Sequence, residues 1–165
     1  MDVLKQSIIH GYMEGAYFCD THTTEIDYKN QSALDIYHAV AKGTPAWIDW
    51  LMSLRNATVS FFGLKDLGGM TSVDAGKVSS EYKYGDVVGI FSILQNTQHE
   101  VILEDRDKHL DVKVSFLVTP NGDKATVHVT TVVHINNTLG KVYMFFVTPM
   151  HKIIVPHSLK SLSLA

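Results

Sequence analysis

Between Ala125 and Pro156 the chain runs straight from a strand pattern into a long apolar segment, and that junction narrows the available folds. Ala125, Val127, Val129, Thr131, Val133 and Ile135 fall on one face of a period-two pattern, as in a strand with one side buried. After Asn136-Asn137 comes Thr138-Leu-Gly-Lys-Val-Tyr-Met-Phe-Phe-Val-Thr-Pro-Met-His-Lys-Ile-Ile-Val-Pro156. A helix of this composition is too apolar to stand alone in water, so it is expected to lie on the sheet that precedes it. A sheet that wraps its own terminal helix tends to leave a pocket between the two. Pro149 and Pro156 fall inside that helix, where a proline costs about 3 kcal/mol and removes a hydrogen bond. They predict a bend near Thr148, or two consecutive helices, with the Thr148 hydroxyl satisfying a carbonyl one turn back.

The upstream residues supply the rest of the sheet. From His109 to Thr119, Leu110, Val112, Val114, Phe116 and Val118 point inward, and His109, Asp111, Lys113, Ser115 and Thr119 outward. Asn121-Gly122 signals a hairpin, with residues 124–136 pairing back across it. One apolar and one polar face predict an antiparallel sheet covered on one side. Val87 to Leu94 and Glu100 to Glu104 read as two further strands. The aromatic and β-branched residues of 16–28 read as the first strand, while 1–15 hold only a short helical turn near Val3 to Ile9.

Two helices are expected after the first strand. Asn30, or a Ser32/Asp35 capping box, begins one that carries Leu34, Tyr37, Val40 and Ala41 at helical spacing and stops at Gly43. Thr44 and Pro45 restart the chain as a cap and a first helical residue, and Trp47, Trp50, Leu51 and Leu54 then predict one buried stripe. That helix would end between Asn56 and Phe62. The stretch 63–86 contains five glycines and is long for a loop in a compact domain, so it is expected to be functional, mobile or partly helical, and over a pocket it would serve as a lid.

Composition sets outer limits. A length of 165 residues fits one domain, and 45% hydrophobic against 19% charged residues argues against disorder. A net charge of -3 gives no basic footprint for nucleic acid. The longest apolar run, Val142 to Val147, is far short of the ~20 residues that span a bilayer, so no stable membrane insertion is expected. Cys19 is the only cysteine, which excludes an internal disulfide and suggests a reducing, cytoplasmic setting. No basic patch precedes an apolar run at the N-terminus, so no signal peptide is expected.

Three separated motifs carry a family resemblance. They are Pro45-Ala-Trp47-Ile-Asp-Trp-Leu-Met-Ser-Leu-Arg55-Asn56 running to Phe62-Gly63-Leu64-Lys65, then Asp107-Lys-His109-Leu110-Asp111, then Asn137-x-x-Gly140-Lys141-x-Tyr143 leading to Pro149-x-His151-x-x-Ile154-Val155. Together, and in this order over nearly the whole chain, they resemble the domain of unknown function 2867 family of the START-like helix-grip (SRPBCC) superfamily. The resemblance implies an α+β fold, a curved antiparallel sheet around a long C-terminal helix, with room for an apolar cavity. It brings no catalytic residue with it. Glu104 stands where a small residue is expected and Met150 where an aromatic one is, which touches local packing alone.

A small apolar or amphipathic ligand would then sit between sheet and terminal helix. Trp47, Leu51, Phe91, Val101 and Val112 would form part of its wall, and Phe116, Val129, Thr131 and Phe146 the remainder. Arg55 would anchor a carboxylate or phosphate, unless it forms a structural ion pair or cap. His151 would reach the mouth of the pocket or bond a free carbonyl. The same alternation also builds a solid core, so each wall residue has a plain packing alternative. His109 and Asp111 share a strand face and could form a dyad, though on the polar side. His128, His134 and His157 show no HExxH, HxH or CxxC spacing, and no metal site or cofactor is expected. No nucleophile motif is present, and Cys19 has His22 on the opposite face. The alternatives are a cyclase- or aromatase-like enzyme, disfavoured by nearly all-aliphatic inner faces, and an interaction module with a solid core. The oligomeric state stays open, a dimer included, because fold alone does not decide function.

Overall fold

The structure is a computed structural model that describes residues 3–60 and 77–163. Six strands form one curved antiparallel sheet: β1 (Phe18–Asp27), β2 (Val87–Val88), β3 (Phe91–Asn96), β4 (Glu100–Arg106), β5 (Leu110–Asn121) and β6 (Lys124–Ile135). Their order in space is β1-β6-β5-β4-β3-β2, so the first strand pairs with the last. Helices α1 (Ala33–Lys42) and α2 (Ala46–Ser60) lie between β1 and β2 in sequence, and α3 (Thr138–Ser163) closes the chain. This is the expected α+β helix-grip plan.

The β5–β6 hairpin is in register from Leu110↔Ile135 to Asn121↔Lys124. Gly122, at φ 67°, opens its two-residue turn, a conformation that glycine adopts without strain. Val87 to Leu94 is not one strand. Gly89, at φ 61°, folds it back so that Val88 pairs with Phe91.

Ser32 and Asp35, rather than Asn30, cap α1. The Asp35 amide donates to Ser32 Oγ at 3.1 Å and the Ser32 amide to Asp35 Oδ2 at 2.9 Å. Asn30 instead takes the left-handed conformation, φ 65°, in the approach to the helix. Leu34, Tyr37, Val40 and Ala41 are buried against the sheet as their spacing predicts. The Tyr37 ring meets Phe116 edge-on at 5.5 Å, and its hydroxyl donates to Val88 O at 3.2 Å.

The two tryptophans of α2 do not form the expected buried stripe. Trp47 is 40% and Trp50 63% exposed, and Ile48 is the buried position of that turn. Trp47 lies at the surface, edge-on to His157 of α3 at 5.4 Å. Thr44 does not cap α2 with its side chain but donates its hydroxyl back to Val40 O at 3.0 Å. Leu51, Leu54 and Arg55 lie outside the described side chains, as do residues 63–76 of the expected lid. The described part, 77–86, is tied down: Lys77 Nζ lies 2.6 Å from Asp86 Oδ2, and Asn96 Nδ2 donates to Ser79 O at 2.9 Å.

The face of the sheet read as polar is also covered. Two 3-10 turns, Val3–Gln6 and Ile8–Tyr12, lie across it and bury Ile9 with Ile102 and Val132. Lys113 and Ser115, expected in water, are 4% and 1% exposed. Glu100, buried on the same face, accepts from Ser7 Oγ at 2.5 Å, Ser115 Oγ at 2.7 Å and the Ile8 amide at 2.8 Å. Lys113 reaches Asp111 at 2.6 Å and Glu104 at 3.2 Å, which accounts for the charged residue at 104. A buried lysine or glutamate persists only with such partners.

Helix α3 runs without a break through Pro149 and Pro156, so the two-helix alternative does not occur. Thr148 Oγ1 donates to Met144 O at 2.7 Å, as expected. Met144, Ser158 and Leu159 are buried, and the helix packs on β1, α1 and β6. The opposite face is apolar too: Val142, Phe145, Phe146 and Ile153 are 51%, 74%, 66% and 60% exposed. Among the described residues no helix is long and apolar enough to cross a membrane.

The second and third motifs meet at the start of α3. Asn137 Oδ1 accepts from the Gly140 amide at 3.1 Å, capping the helix, and Asn137 Nδ2 donates to Lys108 O at 3.3 Å. Asn136 adds bonds to His109 O at 3.0 Å and Asp107 O at 3.2 Å. Gly140 sits so close to His109 O that a Cβ would lie 2.4 Å from it.

Candidate functional site

The seam between the β1–β6 edge and α3 gathers a polar cluster. Strand periodicity puts Phe18, Asp20 and His22 on one face of β1. Thr131 of β6 is the register partner of Asp20. His151 comes down from α3 above them.

The contacts are specific. His22 Nε2 lies 3.0 Å from Asp20 Oδ2, an imidazole oriented by a carboxylate. His151 Nε2 lies 3.1 Å from Thr131 Oγ1. Its other nitrogen, Nδ1, is 3.9 Å from Asp20 Oδ2, too far for a hydrogen bond. That Nδ1 is buried and has no hydrogen-bond partner. The Phe18 ring stands edge-on to the His151 ring at 5.3 Å and supplies an apolar flank. Burial pushes the His151 pKa below its usual 6.5, with His22 adding to that effect and Asp20 opposing it. In the tautomer whose Nε2–H donates to Thr131, a mainly neutral His151 presents a free lone pair at Nδ1; in the other, Thr131 donates to Nε2 and Nδ1 carries a free N–H. The cluster can therefore accept a proton, donate to an anionic or hydroxyl group, or hold a cation.

The residues expected to wall a pocket are dispersed over the molecule. Val101, Phe116 and Val129 are fully packed in the core beneath α1, and Phe91 packs against its edge, 6.4 Å from the Tyr37 ring. Val112 joins a smaller cluster with Leu110, Val133 and Met144. Thr131 and His151 come together at the seam. Trp47 and Phe146 face solvent, and Leu51 and Arg55 lie outside the described side chains. A separate groove of about 250 Å³ opens where Glu25, Asp27 and Lys124 approach Asp35 and Leu162.

The His109–Asp111 dyad does not form. His109 Nδ1 faces the Asn137 amide, and Asp111 faces Lys113. Sequence reasoning missed Asp20 and His22. Their Asp-x-His spacing in a strand was the available signal, since it places both side chains on one face.

The fold and this seam define an α+β helix-grip protein with a polar cluster beneath its terminal helix. The model of the family described as "Protein of unknown function (DUF2867)" matches residues 12–158, and the chain belongs to that family. Among solved structures it is similar to norcoclaurine synthase from Thalictrum flavum, at 14% identity over 95% of this chain and 90% of that one, with a TM-score of 0.41. A complex of that synthase with dopamine and hydroxybenzaldehyde is similar at 15% identity over 93% and 92%, with a TM-score of 0.35. No curated protein matches the chain.

Proposed function

We propose that this protein binds a small amphipathic molecule non-covalently at the seam between the β1–β6 edge and α3. The observation that carries the reading is the buried, unpartnered Nδ1 of His151. Leaving such an atom unpaired costs about 1–3 kcal/mol, which a ligand's polar end would offset. Asp20, His22 and Thr131 supply further acceptors and donors, and Phe18 the apolar contact. A few convergent polar groups beside apolar surface is the usual make-up of a small-molecule site. The single cysteine, Cys19, is a free, exposed thiol, in keeping with a reducing cytoplasmic setting.

Native mass spectrometry of the purified protein, with solvent extraction of bound material, tests this. A co-purifying amphipathic mass that His151→Gln loses is the expected result. A bare protein that takes up no amphiphile from a screened set overturns the reading. Arg55 remains the proposed second anchor, and unchanged affinity in Arg55→Ala would remove it from the site.

The solvent-facing Phe145, Phe146 and Ile153 favour a second reading, an interaction module that pairs two copies through α3. Light scattering across a concentration series separates it, because a monomer at every concentration excludes that pairing.

A further inference from the structure

We propose that Asp20, His22 and His151 form a binding site for one divalent first-row transition-metal ion of the zinc type. One ligand atom from each residue can be chosen so that all three lie within 4.8 Å of one another. Ligands around a tetrahedral ion bound at about 2.0–2.1 Å sit about 3.4 Å apart. The 3.0 Å His22–Asp20 and 3.9 Å His151–Asp20 separations bracket that value, so modest side-chain rotation closes the set.

The surroundings match what a metal site needs. Thr131 holds His151 Nε2 at 3.1 Å, which turns Nδ1 toward Asp20; with Nε2–H donating to the threonine this is the arrangement by which an outer hydrogen bond fixes a metal-binding imidazole. Nδ1 has no other partner to give up. Asp20 and His22 sit two apart on one strand, and Thr131 is paired in register with Asp20, so three of the four positions belong to a hydrogen-bonded ladder. Two imidazoles and one carboxylate leave coordination positions open to water or to another ligand. Spacing rules do not detect this set because β1 and α3 bring it together from opposite ends of the chain. The inference goes beyond the small-molecule reading and does not rest on it, since the ion alone is the probe.

The test is titration of tag-free, metal-stripped protein with Zn(II), read by native mass spectrometry, and with Co(II), read by its visible absorption. One ion per chain is expected, with imidazole-containing coordination in the cobalt spectrum. Asp20→Asn, His22→Gln and His151→Gln should each weaken binding by at least about 10-fold, and Thr131→Val by about 10-fold through the loss of its supporting bond. Circular dichroism establishes that each variant is folded. If His151→Gln does not fold, the β1 and Thr131 variants decide the matter. Absence of stoichiometric binding, or binding that none of these substitutions weakens, overturns the proposal.

Discussion

Replacing Gly140 with alanine measures how firmly the start of α3 is clamped to β5. In an exposed helix interior the change stabilises by about 1 kcal/mol, because glycine loses more conformational freedom on folding. Here the added Cβ would lie 2.4 Å from His109 O, 3.0 Å from Ile135 Cγ2 and 3.2 Å from Leu110 Cδ2. The carbonyl cannot swing aside freely, since it accepts from the Asn136 amide at 3.0 Å. Relief requires α3 to move off the strand, which also loosens the Asn137 cap on the Gly140 amide. Overpacking costs about 1–3 kcal/mol and a weakened cap about 1 kcal/mol. Set against the propensity gain, the net loss is about 1–3 kcal/mol. For a chain of this size that lowers Tm by roughly 3–10 °C. Calorimetry or urea unfolding reads it directly. A Tm equal to or above that of the parent protein would refute the close docking of α3 on His109.

Other outcomes follow from the same contacts. Glu100→Ala strips acceptors from Ser7, Ser115 and the Ile8 amide, and should cost about 3 kcal/mol and expose residues 3–12 to limited proteolysis; an undiminished urea midpoint would contradict it. Phe145→Ser and Phe146→Ser should change stability by less than about 0.5 kcal/mol, whereas Met144→Ala should cost about 2–5 kcal/mol; equal effects in the melts would mean the faces of α3 are assigned wrongly. Burial lowers the pKa of His128, and of His38 with help from Lys42 and against Asp35, below 6.5. The unfolded chain therefore takes up these protons first, so the contribution of these histidines is fully present above pH 6.5 and is lost as pH drops below it. Asp27 and Asp86, held low by their hydrogen bonds from Lys124 and Lys77, contribute only to a later loss below pH 3.8. A His38→Gln/His128→Gln variant should show a flatter Tm between pH 7 and 5, and an unaltered slope would exclude these histidines as its source.

Where one period dominates, the residues announce their structure. The β5–β6 hairpin alternates cleanly and ends in a turn with Gly122, and the Ser32/Asp35 box starts α1 where its spacing places it. Where apolar residues occupy more than one face, the period cannot say which face is buried. Trp47 and Trp50 are large and regularly spaced, yet Ile48 takes the interior. Helix α3 carries Met144 on one side and Phe145 and Phe146 on another, so its fit to the sheet comes from Gly140 and the Asn136-Asn137 turn instead. The covered outer face was hidden for a different reason. The 3-10 turns of residues 3–12 have neither a strand nor an α-helical period, and the burial of Lys113 and Ser115 depends on partners elsewhere in the chain: the Tyr12 ring lies 5.1 Å from Lys113 Nζ, and Glu100 accepts from Ser115 Oγ. The two motifs around His109 and Gly140 read separately in sequence but form a single hydrogen-bonded knot. At the candidate site, the pairing of Asp20 with His22 was open to a period-two reading. The arrival of His151 was not, because it depends on β1–β6 pairing and on how α3 crosses that edge.

The account depends on His151 reaching down from α3 against Thr131, with Nδ1 free. Imidazole proton–nitrogen correlation spectra of uniformly 15N-labelled, metal-free protein read that state directly. Ligation through Nδ1 requires a neutral His151 ring protonated at Nε2, and the packing predicts through-space contacts to Thr131 and the Phe18 ring. A ring protonated at Nδ1, or one without contacts to either residue, would contradict it.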